Sequence, residues 1–383
     1  MTILGFTWYY VLTFLAVLSV LIYVHEFGHY WVARRNGVRV EVFSIGFGTE
    51  LWGRVDRHGT RWKVCAIPLG GYVKMFGEMM PGEGEVDGEG APERPLTPEE
   101  KAESFTHKRL GQRTAIVAAG PVANFLFAVF LFAAVFSVFG NPVPLAVVGE
   151  VVPGTPAATA DIRPGDKILA IESETVTTFE DVRRIIGAHP DVPVRLRIAR
   201  DNAEIVIVAT PQSAIGADAK NGARVGRIGI KPDATEVAYE RQNPLTALWM
   251  GAERTVSLTG QILSYLGQIV AGRQDARDLG GPLRIAQMSG EVAQDGGLIS
   301  LLLFTAVLSV NLGLINLFPI PMLDGGHLLF YAAEALRGRP LSPRAQEYGF
   351  RFGLALVLML TVFATWNDLV NLKVIEFLRQ LIT

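Results

Sequence analysis

Residues 20–38 read VLIYVHEFGHYWVARRNGV, and they join the end of an apolar run to the first basic residues of the chain. The run begins near residue 6, so it is long enough to cross a lipid bilayer, which takes about 20 helical residues. His25, Glu26 and His29 follow directly on this run. Ionisable side chains at membrane depth are costly and usually functional, so the stretch predicts a spanning helix with a site at its end.

The composition is intermediate between that of a soluble protein and that of a protein buried wholly in a membrane. The chain has 383 residues, of which 50% are hydrophobic and 19% charged, with a net charge of −2 and one cysteine, Cys65. We therefore expect a membrane part and a water-soluble part. The near-neutral charge argues against a nucleic-acid partner, and one cysteine excludes an intrachain disulfide framework or a CxxC metal site. A bound metal would need His, Asp or Glu ligands.

Four segments are apolar and long enough to span a bilayer: residues 6–24, 114–139, 298–318 and 350–366. No basic residue precedes the first of them, so it lacks the charged start of a removable signal peptide. Arg34, Arg35 and Arg39 follow it. By the positive-inside rule, its carboxyl end and the HEFGH stretch lie at the cytoplasmic face.

The segment between the first two spans divides into two parts. Residues 38–75 alternate in the manner of strands, with glycines at turn or bulge positions, and predict a small sheet near the inner face. Residues 78–103 are rich in Glu, Gly and Pro, and they predict a flexible acidic loop with no function of its own.

A water-soluble block follows the second span. Residues 153–171, PGTPAATADIRPGDKILAI, resemble the signature of a bacterial PDZ domain, and the signature is not repeated. A PDZ fold binds an extended peptide by strand addition and holds its terminal carboxylate with backbone amides. The alternative is a β-rich spacer that merely resembles a PDZ domain.

Residues 243–272 fit either a fifth span or an amphipathic helix on the outer surface. If they spanned, the segment at 298–318 would end on the opposite side from the HEFGH stretch. If they lie on the surface, both ends meet on the cytoplasmic side at similar depth. We therefore expect residues 243–272 to lie on or beside the outer leaflet.

The end of the third span carries a second group of polar residues. The sequence from 311 to 330 is NLGLINLFPIPMLDGGHLLF, in which Pro319 and Pro321 break the helix. Irregular backbone at membrane depth is tolerated only where it is buried in protein or lines a wet cavity. The stretch is therefore a candidate part of the site.

The spacing of the HEFGH residues is that of zinc proteases. His25 and His29 are four residues apart, so on a helix they share one face, and Glu26 lies beside them as a candidate base. A catalytic zinc takes three protein ligands, so one ligand is missing. His58, His107 and His189 are predicted outside the membrane. The facing span offers two candidates, Asp324 and His327.

Four motifs occur in the order that one family has. They are HEFGH at 25–29, GPVAN at 120–124, the PDZ signature and NLFPIPMLDGG at 316–326. Over nearly its whole length the chain resembles the site-2 protease family of intramembrane zinc metalloproteases, and in particular its bacterial RseP type. The resemblance implies that His25, His29 and Asp324 bind Zn²⁺ and that Glu26 is the catalytic base.

The resemblance further implies that the glycine-rich strands form a membrane-associated β element that meets substrate. The candidate substrate-binding residues are Asn311, Asn316, Pro319, Pro321, Gly46, Gly48, Ile67 and Val73. The asparagines could bind substrate backbone or an oxyanion, or they could form hydrogen bonds between helices, and Asn124 has the same ambiguity. The two prolines are expected first of all to shape the broken helix.

The implied function is the cleavage of single-span membrane proteins, such as anti-sigma factors after prior trimming, in a stress response. The implied location is a bacterial inner membrane, with the PDZ domain in the periplasm and the active site near the cytoplasmic face. The best-known members of the RseP type have two PDZ domains, whereas one is predicted here. Two alternatives are a PDZ receptor or scaffold with a structural metal, and a zinc transporter. Glu26 argues against the first because a structural site needs no base, and the lack of a repeat argues against the second.

The predicted fold class is a polytopic α-helical membrane protein with four transmembrane helices, a β element and one PDZ domain. Its predicted parts are the first transmembrane helix (1–36), the β element (37–77), the acidic cytoplasmic loop (78–113), the second transmembrane helix (114–139), the PDZ domain (140–235), an extracytoplasmic juxtamembrane helical region (236–297), the third transmembrane helix with LDGGH (298–333), and the fourth transmembrane helix with the C-terminus (334–383).

Overall fold

The computed structural model describes residues 3–78, 96–201, 203–215, 224–233, 235–274 and 280–371. Two compact units are present. The larger unit consists of Met1–Ala134 together with Leu245–Thr383, and the smaller unit is Val135–Pro244.

The helices are α1 Ile3–Arg35, α2 Pro98–Glu103, α3 Leu110–Val138, α4 Pro156–Thr159, α5 Phe179–Gly187, α6 Pro244–Val270, α7 Pro282–Asp295, α8 Gly297–Asn316, α9 Asp324–Arg337 and α10 Pro343–Asn371, with a 3₁₀ turn at Phe105–His107. The strands are β1 Val40–Val55, β2 Arg61–Met75, β3 Asn141–Pro144, β4 Val148–Val151, β5 Lys167–Ile171, β6 Glu174–Thr175, β7 Val194–Arg200, β8 Ala203–Ala209, β9 Gln212–Ile215, β10 Arg224–Arg227, β11 Ile230–Pro232 and β12 Val237–Glu240.

Four helices are long and apolar enough to cross a membrane, which confirms the prediction of four candidate spans. Within the described residues they are Trp8–Arg35, Leu110–Val138, Gly297–Asn316 and Pro343–Val370. Helix α6 is not one of them, in agreement with the expectation that residues 243–272 do not span. It packs against α3 at Gly251, where an added Cβ would lie 2.7 Å from the carbonyl oxygen of Val129.

Strands β1 and β2 form an antiparallel sheet that lies against α1 and α3. Residues 42–45 of β1 have partners both in residues 71–74 and in residues 61–64, so this part of β1 is flanked on two sides. Residues 71–74 have their strand partners on one side only among the described residues, and they form an edge of the sheet. Phe43 and Val73 are buried in a cluster with Ile116 of α3. This packing holds the edge segment beside the end of α1.

The predicted flexible loop is partly helical. Residues 79–95 lie outside the described part, but Pro98–Glu103 form α2, and α3 begins at Leu110 rather than at the predicted 114. Helix α2 begins at a capping box, in which the Thr97 hydroxyl accepts from the Glu100 amide while the Glu100 carboxylate accepts from the Thr97 amide. Helix α3 thus begins four residues before the predicted start of the second transmembrane helix.

The predicted part with the third span and LDGGH, residues 298–333, contains two helices, separated by a turn at the prolines that were predicted to break the helix. Helix α8 ends at Asn316, the chain turns through Pro319 and Pro321, and α9 begins at Asp324. Added Cβ atoms on Gly325 and Gly326 would collide with carbonyl oxygens of the turn, so the turn folds tightly onto the first residues of α9. The LDGGH motif therefore starts a new helix instead of ending the span.

The smaller unit is built on a four-stranded antiparallel sheet in the order β6-β5-β7-β8. Helix α5 covers it through the buried side chains of Val182, Ile185 and Ile186. Shorter antiparallel pairs, β4 with β11, β9 with β10, and β3 with β12, complete the unit.

Candidate metal centre

Helix α1 brings two histidines together. His25 and His29 are buried, they lie one helical turn apart, and their Nε2 atoms are 3.3 Å from each other. The helix therefore presents two ligand atoms to one point, as the spacing predicted.

The first residue of α9 completes the group. Asp324 Oδ2 lies 3.1 Å from His25 Nε2 and 3.5 Å from His29 Nε2. His327, the other candidate ligand, instead packs its ring against Phe350 of α10, at 5.3 Å between ring centroids. Of the histidine, cysteine and acidic side chains that the structure describes, only His25, His29 and Asp324 form a three-ligand group.

The three ligand atoms fit a Zn²⁺ ion. Ligand atoms about 2.0–2.1 Å from a tetrahedral zinc lie about 3.4 Å apart, close to the three observed separations. Asp324 Oδ2 is buried and accepts no hydrogen bond from any described residue. A buried carboxylate oxygen without a donor is unfavourable, and a bound cation would compensate it.

Helix α3 contacts both histidines at their Nδ1 atoms, on the side away from the ligand group. The carbonyl oxygen of Ile116 lies 2.9 Å from His29 Nδ1, and the side-chain amide of Asn124 lies 3.1 Å from His25 Nδ1. A Cβ on Gly120 would collide with the imidazole of His29, so this position needs glycine. This role of Gly120 was not predicted, because GPVAN was recognised only as a family motif. A glycine and an asparagine four residues apart in an apolar helix were the available signal.

The side chain of Glu26, on α1, lies beside the edge of the sheet. A Cβ added to Gly71 would come within 3.1 Å of Glu26 Cγ, so the edge segment passes directly beside this side chain. Burial raises the pKa of the nearby Glu78 carboxyl to about 7, with smaller contributions from Glu26 and Asp324. Glu78 is thus close enough to Glu26 and Asp324 to interact with them electrostatically.

Helix α9 is fastened to α3 by an ion pair. Arg113 Nη2 lies 2.6 Å from Glu334 Oε1, both side chains are largely buried, and the guanidinium also lies over the ring of Tyr331, 5.0 Å from its centroid. Burial raises the pKa of Tyr331 to about 12. These contacts fix the helix that begins with Asp324.

The predicted substrate-binding residues do not form one group. Asn311 and Asn316 donate to carbonyl oxygens of their own helix, those of Val307 and Leu312, rather than between helices. Pro319 and Pro321 lie in the turn before α9, and the carbonyl of Pro321 packs against Gly353 of α10.

The predicted sheet positions also differ among themselves. Gly46 and Gly48 have φ of +87° and +83° and bend β1, which only glycine does readily. The side chain of Ile67 is 51% exposed, whereas that of Val73 is 7% exposed and part of the core. Gly71, which was not predicted, is the sheet residue that lies next to Glu26.

Comparison with known proteins gives the family. The model of peptidase family M50 matches residues 13–360. The "Putative zinc metalloprotease" of Rhizobium meliloti (strain 1021) is 47% identical over 368 residues, covering 94% of this chain and 96% of that protein. "Metalloprotease MmpA" of Caulobacter vibrioides is 38% identical over 388 residues, covering 96% and 97%. "Regulator of sigma-E protease RseP" of Salmonella typhimurium is 33% identical over 455 aligned residues, covering 93% and 97%. Because these matches extend over nearly the whole chain, the protein belongs to peptidase family M50, the site-2 protease family of zinc metalloproteases.

Proposed function

We propose that the protein is an intramembrane endopeptidase that cleaves single-span membrane proteins, with His25, His29 and Asp324 as the zinc ligands and Glu26 as the catalytic base. The observation that carries this proposal is the depth of the ligands in a candidate span. His25 lies ten residues before the end of the span Trp8–Arg35, which corresponds to about 15 Å along the helix. A peptide bond cleaved there would lie within the candidate span, toward its cytoplasmic end.

The chain supplies the parts that hydrolysis of a peptide bond requires. Bound Zn²⁺ would act as a Lewis acid that polarises the scissile carbonyl and makes a water nucleophilic near neutral pH. Glu26 follows His25 directly on α1 and is placed to take a proton from the attacking water and give it to the leaving amine. The buried histidines and the packed face of α3 keep bulk water away from the ligands.

The substrate class is proposed from a relative. The Salmonella relative is named regulator of sigma-E protease, which supports a membrane-anchored regulator, such as an anti-sigma factor, as the substrate after an earlier trimming cut. We place the protein in the inner membrane of a bacterium, with the active site near the cytoplasmic face and residues 140–297 outside the cytoplasm. The arginines that follow the HEFGH stretch support this orientation.

The smaller unit is proposed to be a PDZ domain that binds a peptide or protein terminus. Its signature sequence, its small antiparallel sheet and the helix α5 that covers the sheet support this assignment. A PDZ domain binds a peptide as an added strand, so it would inspect the part of the substrate outside the membrane.

Substitution of Glu26 by glutamine tests the proposal. Glutamine cannot accept the proton, yet it has nearly the same shape, so we expect Glu26→Gln to keep its zinc and lose cleavage of a single-span substrate. Elemental analysis gives the zinc content, and electrophoresis of a tagged substrate in proteoliposomes gives the cleavage. Near-normal turnover by the Gln variant would remove Glu26 from the mechanism, and wild type with zinc but no cleavage would favour a receptor with a structural metal.

A further inference from the structure

The two histidines of the metal centre have their other ring nitrogens directed at α3. The oxygen that faces His29 Nδ1, at 2.9 Å, is the backbone carbonyl of Ile116. A carbonyl oxygen only accepts hydrogen bonds, so Nδ1 of His29 must carry the hydrogen. The lone pair of a neutral imidazole is then on Nε2, the atom that faces His25 and Asp324. The contact with α3 therefore leaves His29 in the tautomer that binds a metal through Nε2.

The contact of His25 is chemically different because its partner can both donate and accept. Asn124 places its side-chain amide 3.1 Å from His25 Nδ1, with Nδ2 as the facing atom. If Nδ2 donated there, His25 Nδ1 would be the acceptor, and the hydrogen of the neutral ring would lie on Nε2, where the metal must bind. That arrangement opposes metal binding.

Nothing in the described residues holds the amide of Asn124 in the donating orientation. Asn124 Oδ1 is buried and has no hydrogen-bond partner among them. The two ends of an amide have nearly the same shape, so the surrounding hydrogen bonds decide its orientation. A half-turn brings Oδ1 opposite His25 Nδ1 without moving any other group.

The backbone of Asn124 is meanwhile held firmly in place. The residue is 0% exposed, and its carbonyl oxygen accepts a hydrogen bond of 2.8 Å from Ser309 Oγ on α8. Gly313 of α8 packs against it so closely that an added Cβ would lie 3.3 Å from Asn124 Cβ. The amide is thus kept at His25 by two helices, and only its rotation is free.

We propose that Asn124 is a positioning residue of the metal centre, which accepts a hydrogen bond from His25 Nδ1 and so keeps Nε2 open to Zn²⁺. Ile116 and Asn124 then have the same task for two ligands, at positions eight residues apart on one face of α3, with Gly120 between them to make room. Partners that orient ligating histidines typically contribute about 10–100-fold to metal affinity. The proposal rests on the zinc site of the proposed function.

Two substitutions at Asn124 test whether its side chain accepts a hydrogen bond from His25 Nδ1 or donates one to it. Asn124→Asp keeps an acceptor of the same shape and cannot donate when ionised, whereas Asn124→Leu has similar size and can do neither. Thr114→Val is the matched control, because the hydroxyl of Thr114 on the same helix donates to the carbonyl of Leu110 in its own helix and, among the described residues, makes no contact with the metal ligands. The full-length proteins are purified in detergent. Their zinc affinity is measured by competition with a coloured chelator, and their Co²⁺-substituted forms are compared by visible absorption.

We expect Asn124→Leu to bind zinc about 10–100-fold more weakly than wild type and to lose the intense absorption of tetrahedral Co²⁺. Asn124→Asp should stay within a few-fold of wild type and keep the absorption, and Thr114→Val should match wild type. Equal zinc affinity in wild type and Asn124→Leu would overturn the proposal, as would an Asp variant that folds but binds as weakly as the Leu variant. If Asn124→Leu does not fold, the Asp variant alone decides, because a donor role predicts weak binding for it. Failure of wild type to bind zinc would instead overturn the proposed site.

Discussion

Asp324 and His327 are three residues apart at the start of α9, yet only Asp324 lies within reach of the two histidines of α1. A helix repeats every 3.6 residues, so the four-residue spacing of His25 and His29 alone predicts that they lie together on one helix face. The choice between Asp324 and His327 depended on how the chain turns after α8. That turn is fixed by packing of Gly325 and Gly326 on the preceding carbonyls, which no local pattern encodes.

We predict that Asp324→Ala loses most of its zinc together with its proteolytic activity, because a catalytic zinc has three protein ligands and this change removes one. His327→Ala should keep its zinc, since the ring packs on Phe350 and belongs to no metal-ligand group. Elemental analysis of both purified variants measures the difference. Full zinc in the first variant and loss in the second would show that the third ligand is His327.

At the scale of elements, apolar runs and alternation predicted most of the larger unit. The four candidate spans and the strands of residues 38–75 are present, because both patterns are set by burial along a regular element. Helix α2 was not predicted, because a single capping box outweighed the acidic composition around it. The edge segment at Gly71, whose place beside Glu26 depends on the way β1 bends at two glycines, was also not predicted.

We predict that the ion pair between α3 and α9 sets the zinc affinity, although neither residue contacts the metal. Arg113→Ala leaves the carboxylate of Glu334 buried and unpaired, which typically costs about 3–5 kcal/mol. We therefore expect α9 to shift and zinc affinity to fall, whereas Arg113→Glu combined with Glu334→Arg should restore part of it. Chelator competition measures the affinity.

The control for this prediction is Arg351→Ala. Arg351 pairs with Glu347 on the exposed surface of α10, where such pairs contribute little, so its loss should leave zinc binding unchanged. Equal zinc affinity in Arg113→Ala and wild type would show that packing alone holds α9.

We predict that the sheet holds substrate in an extended form before cleavage. A peptide bond in a membrane helix is engaged in the i to i−4 hydrogen bonds and must be unwound, and a strand edge can replace those bonds. The edge segment at residues 71–74 lies beside Glu26 through Gly71. Proline at Ile67, which is paired with Phe47 of β1 and has an exposed side chain, removes one amide donor near this edge. Val73 is less suitable because its side chain is buried.

The expected result is an Ile67→Pro enzyme that retains zinc, cleaves a helical substrate poorly and still cleaves a version with Gly or Pro near the scissile bond. Leu51→Pro, on an exposed residue in the other half of β1, is the control and should cleave both substrates normally. Cleavage assays in proteoliposomes with zinc measured in parallel decide the matter. If cleavage of both substrates falls equally, or if neither is affected, the sheet is a scaffold that does not hold the substrate.

At the scale of the whole molecule, the membrane topology follows from the number of spans between the two halves of the metal centre. If the four candidate spans cross the membrane, α1 brings two ligands to one side and α3 returns the chain to the other side. Helix α8 must bring the chain back, so that α9 can place Asp324 next to His25 and His29. This works only if α6 does not span, since a fifth crossing would leave Asp324 on the wrong side.

We predict that residues 140–297 lie entirely outside the cytoplasm. Single cysteines at Ala203 and Gln294, both exposed, should react in intact cells with a thiol reagent that does not cross the inner membrane, whereas a cysteine at His58, in the exposed turn between β1 and β2, should be protected. The background is Cys65→Ala, because Cys65 is the only native cysteine and is buried. Lysed cells, in which all three positions should react, give the control. If the cysteine at 203 reacts and the one at 294 is protected, α6 crosses the membrane, and a metal centre built from α1 and α9 could not form in that topology.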